Sequence, residues 1–489
     1  MVDEPPPNFF RPQKRARKPK SEPKPVAPVS YVNGLDPDAD ASLPPQFSDD
    51  ALGLRFSEQY APSLRFVAAW NRWMLWDGCV WKRDDTLRAY DLVRRTIRAA
   101  AGDTLSPEER AKLAAAAKVA AIEKLVRSDR RHALTADRWD ADPWLLNTPR
   151  GIIDLRTGER MPHASHYLMT KCTAVEVGEI AACPRWLEFL ARVTGNDLRL
   201  QDYLKRCAGY WLTGLIHEHA MWFLYGTGRN GKGVFLNTIS RIMGDYAMTA
   251  SPDTFTADGH GKHLTVLARL QGARLVVSQE TEEGIPWAEA RIKSVTGGDP
   301  ITANYMRQDP FTYLPNFKLA IAGNHKPGLK SVDAAIRARL NLTPFTVTIP
   351  PTERDPSLSE KLWEEAPGIL AWMLEGCADW RHVRLAPPPV VTLATEEYFD
   401  SEDMTALWVK ECCDTGRLCE GLSGALFKSW TAWAITAGEK PGSNKTFSRT
   451  LEKHGFPRGA HSEFGQIING IKLKVPSART ETEREREWP

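Results

Sequence analysis

The sequence has no Cys-x-x-Cys pair and no His-x-x-x-His companion. A zinc finger or ribbon therefore has no ligand pattern to stand on, and a zinc site from Cys412, Cys413, Cys419 and a distant His, though open, is disfavoured by these spacings. The eight cysteines read as reduced thiols in a cytoplasm-like compartment. No apolar run approaches the roughly 18 residues that a membrane-spanning helix needs, so no membrane partner is expected. The start, Met-Val-Asp-Glu-Pro-Pro-Pro, lacks the basic-then-apolar order of a signal peptide. No sign of charge dominates either: the formal net charge is +3 over 489 residues, so the chain as a whole points to no partner. Internal repeats are absent.

What is present divides the chain by composition. Its length exceeds one ordinary core. Residues 1–51 form a Pro-rich leader with a basic stretch at 11–20 and read as disordered. Residues 52–215 read as a mainly helical N-terminal accessory domain. Helical spacing covers 61–70, 88–101, 107–126, 186–193 and 198–215, and Ser106-Pro-Glu-Glu is a helix-start signature. Trp73 to Trp81, with Asp77-Gly78 between apolar runs, reads as a hairpin on an Asp-Gly turn. From 216 to 385, apolar strands at 220–225, 274–278, 317–322 and 340–349 alternate with helices, the pattern of an α/β domain with a parallel sheet. Ala386-Pro-Pro-Pro389 marks a linker. Residues 391–475 read as helices at 402–411, 422–437 and 444–454 plus a strand pair near 465–474, a winged-helix-like unit. A charged tail over 476–489 ends the chain.

Four segments carry candidate chemistry. The first is Gly226-Thr227-Gly228-Arg229-Asn230-Gly231-Lys232-Gly233, between a strand and a helix. It satisfies Gly-x-x-x-x-Gly-Lys, a loop whose backbone N–H groups cradle phosphates while the lysine adds a point charge. The next position normally supplies a hydroxyl to Mg²⁺; here it is Gly233. The second is an apolar strand ending in Glu280, Glu282 and Glu283, where one acid can orient Mg²⁺ and another polarise an attacking water. The third is a strand ending in Gly323-Asn324, whose amide can reach a γ-phosphate or the water, or simply close an Asx-turn. The fourth is Arg337-Ala338-Arg339, either surface charge or fingers toward a neighbouring subunit's nucleotide.

In order and compactness these segments resemble the superfamily 3 helicases, specifically the helicase half of the phage and plasmid primase-helicase family. The likeness also runs through Lys293-Ser-Val-Thr-Gly-Gly-Asp-Pro-Ile301, Gly151-Ile-Ile-Asp-Leu-Arg-Thr-Gly158 and Pro441-Gly-Ser-Asn-Lys-Thr-Phe447, spanning about 52–475. The resemblance implies an AAA+-like ATPase core, ATP with Mg²⁺ as ligands, and a homo-oligomeric, hexameric ring around single-stranded or forked duplex DNA in a bacterial host's cytoplasm. It assigns Lys232 to the phosphates, Glu280 to the metal, Glu282 to the water, Asn324 to a sensor and Arg339 to the finger. It places Lys293 and Arg307 near a DNA-gripping hairpin. The family often carries a primase domain ahead of the helicase. Only the leader precedes the globular part here, so no primer synthesis is expected of this chain and a separate primase is a candidate partner. Two other readings stay open: a P-loop kinase or metabolic ATPase, and a DNA-binding initiator or loader whose nucleotide site only controls assembly.

Overall fold

The computed structural model describes residues 44–474, apart from 103–104, 180, 258–262, 280–285, 306–308, 330–332 and 439. The charged tail, and the leader up to residue 43, lie outside the described residues. Asp49 already opens the first helix, α1 (Asp49–Tyr60), whose start is capped by the Ser48 side chain accepting from the Ala51 N–H.

The N-terminal region is less helical than its spacing predicts. Strands β1 (Leu64–Val67), β2 (Arg72–Trp76) and β3 (Trp81–Arg83) form an antiparallel sheet. The helix expected over 61–70 gives way to β1, because Leu64 and Phe66 find partners across the strand pair in Leu75 and Trp73; cross-strand packing outweighs local spacing. Trp76 pairs with Trp81, so the hairpin has a four-residue loop instead of a two-residue Asp-Gly turn. The Asp77 carboxylate holds that loop by accepting from the Cys79 and Val80 N–H groups at 2.8 Å each. Helices α2 (Arg88–Ala101), α3 (Pro107–Leu113) and α4 (Ala116–Val126) follow, α3 opening on a Ser106–Glu109 capping box. A second antiparallel sheet, β4 (Leu145–Thr148), β5 (Gly151–Asp154) and β6 (Arg160–Met161), precedes helices α5 (Pro184–Val193) and α6 (Leu198–Trp211).

The central part alternates as the sequence predicts: β7 (Met221–Tyr225), α7 (Lys232–Met243), β8 (Ala247–Thr249), α8 (His263–Arg269), β9 (Leu275–Gln279) and α9 (Glu289–Gly297). A separate hairpin, β10 (Ile301–Ala303) with β11 (Phe311–Tyr313), comes before β12 (Lys318–Gly323), α10 (Ala334–Arg337) and β13 (Leu340–Pro344). The last strand stops at Pro344, short of the expected 349. Five strands form one parallel sheet in the order β13-β7-β12-β9-β8. Its faces alternate along each strand: Trp222 and Leu224 join the cluster with α5, α6 and α7, while Met221 and Phe223 join the cluster on the opposite side. Burial on both faces is why these strands read as continuous apolar runs. Helices α11 (Leu358–Glu364) and α12 (Ala366–Val383) pack on the first side. Helix α13 (Pro389–Glu402) packs Ala394, Tyr398 and Phe399 on the second.

Beyond it, α14 (Met404–Cys412), α15 (Ser423–Thr436) and α16 (Asn444–Lys453) surround a cluster containing Trp408, Trp430, Phe447 and Ile471. The expected strand pair is a three-stranded sheet, β14 (Cys413–Leu422), β16 (Gly465–Leu473) and β15 (Arg458–Ser462) in that order, winged-helix-like in sequence of elements.

Two cations lie under the sheet at the strands' N-terminal ends. Arg274 is buried and donates from Nη1 to the Leu212 carbonyl at 2.5 Å and from Nη2 to the Leu145 carbonyl at 2.6 Å. Lys318 donates to the Thr213 carbonyl and sits 5.0 Å over the Tyr210 ring; burial, with Arg274 nearby, pushes its pKa well below the usual lysine value. Among the described residues, no helix is long and apolar enough to cross a membrane.

Candidate phosphate-binding site

The parallel register brings the C-terminal ends of β7, β12 and β9 together, the edge of an α/β sheet where ligands bind. The loop 226–231 leaves β7 there and turns into α7. Positive φ at Gly228 (94°), Arg229 (52°) and Gly231 (86°) curls it into a concavity. Each glycine has a separate reason. A Cβ on Gly226 would fall 2.0 Å from Asn230 Nδ2 and 2.1 Å from the Phe345 carbonyl. One on Gly231 would strike Val193 of α5 at 2.5 Å, so the N-terminal region supplies the floor of the loop.

Lys232, the first residue of α7, is buried with its ammonium directed back into the loop. Its Nζ donates to the Gly226 carbonyl at 2.8 Å, to Asn230 Oδ1 at 3.0 Å and to Asn324 Oδ1 at 3.1 Å. Those three bonds use all three ammonium donors. Burial lowers its pKa from the usual lysine value. Asn230 is buried too, and its Nδ2 donates to the Phe345 carbonyl at 2.6 Å, clamping the loop to the chain leaving β13. The Ile349 N–H donates to the Arg229 carbonyl at 3.0 Å and adds a second tie.

The fit to a phosphate group rests on the loop's donors. Among the described residues, the N–H groups from Gly228 to Lys232 have no acceptor, and they belong to the loop that holds the Lys232 ammonium at a helix N-terminus. Thr227 and Arg229 are the exposed members of the loop. Gly233 faces the end of β9: its nearest neighbour for an added Cβ is Gln279 Oε1, at 4.0 Å. Gln279 in turn donates to Asn237 Oδ1 of α7 at 2.7 Å. Glu280, Glu282 and Glu283, the residues after β9 considered for metal and water, lie outside the described residues. Among those described, no group of three or more His, Cys, Asp or Glu side chains is placed to hold a metal.

The remaining candidates among the described residues lie apart from Lys232. Arg339 precedes β13, and pairing of Leu340 with Met221 and Pro344 with Tyr225 puts it at the opposite end of the sheet from the loop. The strand alone separates them by roughly 15 Å. Its Nε donates to Thr296 Oγ1 at 3.2 Å and its Nη1 to the Ala335 carbonyl at 2.6 Å. Arg337 faces Asp400 and the Phe399 ring of α13. Lys293, on α9, pairs with Asp333. Arg307 lies outside the described residues. Sequence reasoning missed the Phe345 carbonyl, the α5 floor and the Gln279–Asn237 bond; none leaves a local motif, because the partners are far apart in the chain.

Comparison with known proteins adds two regional matches. Residues 53–195 match the family model "D5 N terminal like", and residues 224–338, which include the loop and Asn324, match a family of unknown function, DUF5906. A Frog virus 3 protein named "Putative helicase 022R" is 28% identical over 271 residues, covering 50% of this chain and 28% of that protein. A mimivirus protein named "Putative helicase L207/L206" is 25% identical over 281 residues, covering 53% and 29%. The chain thus spans less than a third of either relative's length. A solved structure of the NrS-1 C-terminal region aligns with a TM-score of 0.46 at 10% identity, covering 84% of this chain and 96% of that one. The chain thus carries a D5-N-terminal-like domain followed by a DUF5906 region, an arrangement consistent with the primase-helicase family that its motifs resemble.

Proposed function

We propose that this chain is an ATP-hydrolysing DNA helicase of a phage, prophage or plasmid replication system, working as a homo-oligomeric, hexameric ring. The observation that carries this reading is the seating of Lys232 between the loop and Asn324, at the joined ends of β7 and β12. The names of the viral relatives point the same way. Bound ATP with Mg²⁺ would supply the phosphoanhydride bond whose cleavage drives movement.

The residues divide the work as follows. The loop amides of 226–233 and Lys232 hold phosphate oxygens. Phosphate competes with Asn324 Oδ1 for a Lys232 donor, which frees that amide to orient the attacking water. Glu280 would hold Mg²⁺, which supplies charge to the phosphates, and Glu282 would polarise the water. Arg339 reaches the site of a neighbouring copy, since its own lies at the other end of the sheet. Lys293 and Arg307 contact DNA phosphates, Lys293 by exchanging its Asp333 partner. A separate primase supplies primers in the host cytoplasm.

One observation favours a second reading. Gly233 removes the hydroxyl that usually steadies Mg²⁺, which suits a loader whose nucleotide site governs assembly. Turnover measured with and without single-stranded DNA separates the two: a helicase is stimulated and a loader shows little turnover. Lys232→Ala is expected to abolish ATPase and unwinding while the protein stays folded; unwinding of a forked duplex by that variant would refute the mechanism.

A further inference from the structure

We propose that Tyr398 and Glu402 of α13 are positioning residues that latch the loop carrying Asn324, an inference that rests on the nucleotide-hydrolysing role above. Asn324 opens an irregular segment, 324–329, beyond β12. Three bonds pin its far half. The Tyr398 hydroxyl donates to the Pro327 carbonyl. The Trp287 N–H donates to the Gly328 carbonyl at 3.0 Å. The Glu402 carboxylate accepts from the Leu329 N–H at 2.8 Å, the stronger, charge-assisted kind of bond.

Tyr398 and Glu402 stand four residues apart on α13 and so share one helix face. Tyr398 is buried, and its oxygen also accepts from Trp287 Nε1 at 3.2 Å, which fixes the direction of its own proton toward Pro327. The Lys326 ammonium lies over the Tyr225 ring at 4.4 Å and the Tyr398 ring at 5.8 Å, tying the middle of the segment to the last residue of β7. The helix is itself fixed to the sheet: Thr395 Oγ1 accepts from the Leu342 N–H of β13 at 3.0 Å. One helix face thus fixes the loop after β12 relative to β13, and Asn324 hangs from that loop against Lys232. Neither residue touches the phosphate cradle; both set where the Asn324 amide sits. An ångström of drift in a positioned group can cost about 100-fold in rate.

The test uses steady-state ATP hydrolysis by the full chain with single-stranded DNA. Tyr398→Phe keeps the ring and removes the donor; Glu402→Ala removes the acceptor; Glu402→Gln keeps an acceptor oxygen for Leu329. The expected result is a fall in kcat of about 10-fold for the first two, with KM for ATP within about twofold, and near-normal kcat for Glu402→Gln. In an Asn324→Ala background, Tyr398→Phe and Glu402→Ala should have little further effect, because the group they position is gone. A merely structural role would instead persist in that background. Should Tyr398→Phe unfold, the Glu402 pair carries the test alone. Wild-type kcat in folded Glu402→Ala, or an equal loss with and without Asn324, overturns the latch and leaves the ATPase reading standing. Wild-type protein that does not hydrolyse ATP overturns both.

Discussion

A single methyl group at Gly226 tests how closely the loop is packed. An alanine Cβ there would stand 2.0 Å from Asn230 Nδ2 and 2.1 Å from the Phe345 carbonyl, where ordinary contact begins at 3.4 Å. Something must move by more than an ångström. The Asn230 side chain is buried and bonded at both ends, to Phe345 and to Lys232. The Phe345 carbonyl belongs to backbone whose own N–H is bonded to Tyr225. Neither yields without breaking a buried hydrogen bond. Overpacking costs about 1–3 kcal/mol, and each broken bond about another 1 kcal/mol. A total of about 2–4 kcal/mol corresponds to a fall in the core's melting temperature of roughly 5–15 °C. Because the displaced atoms are those that hold Lys232, turnover should drop by about 100-fold even at temperatures where Gly226→Ala is folded. Scanning calorimetry and ATPase assays read both effects. A variant that melts within about 2 °C of wild type and turns over normally would show that the clamp between the loop and the chain after β13 is not as drawn.

Gly233→Ala should behave oppositely: its Cβ meets nothing closer than 4.0 Å, so removing glycine from the first turn of α7 should raise stability by about 0.5 kcal/mol, measured by denaturant unfolding. If Arg339 serves a neighbouring copy, Lys232→Ala and Arg339→Ala proteins, each inactive alone, should regain partial ATPase activity when mixed; no recovery in a mixture shown to co-assemble would place the arginine outside the site. His132 predicts acid sensitivity in the N-terminal region. It is buried among Phe56 and Trp73, with Nδ1 3.0 Å from the Leu64 carbonyl, and burial lowers its pKa below the usual 6.5. Below that pH the unfolded chain takes up the proton first. Its contribution should therefore weaken stability as pH falls from about 6.5 to the lower native value, with a slope of at most about 1.4 kcal/mol per pH unit. Urea unfolding at several pH values should show this loss in wild type and a flatter profile in His132→Gln.

The parts of the site legible in the sequence are those written in one stretch of backbone. The loop at 226–233 announces itself because its glycines meet local demands, positive φ at Gly228 and Gly231. Strands β7, β9 and β12 show as apolar runs because both faces are covered. What pairs across distance left no trace. Nothing near Asn230 points to Phe345, 115 residues away. The strand β1 was hidden under helical spacing because its partners lie in β2. Helix α13 was masked by Ala386-Pro-Pro-Pro389, read as a linker, although a proline at the first helical position favours a helix start and Pro389 occupies that place. The arginine was visible as a residue type, but its end of the sheet follows only from the parallel register.

The buried Arg274 bears on how this protein can be cut. Its guanidinium leaves the central sheet and ends on two carbonyls, Leu212 and Leu145, the second of them in the strand β4. A fragment begun near residue 216 to isolate the nucleotide-binding part would strip both acceptors at once, and would take from Lys318 its bond to Thr213. Lys318 would lose the Tyr210 ring as well, and Arg274 would keep only its stacking on the Tyr246 ring, so two buried cations would face a newly opened apolar surface without their carbonyl acceptors, which is costly. The chain ahead of β7 is therefore a foundation for the sheet, and a workable short form of the protein has to keep β4 and the residues through Thr213.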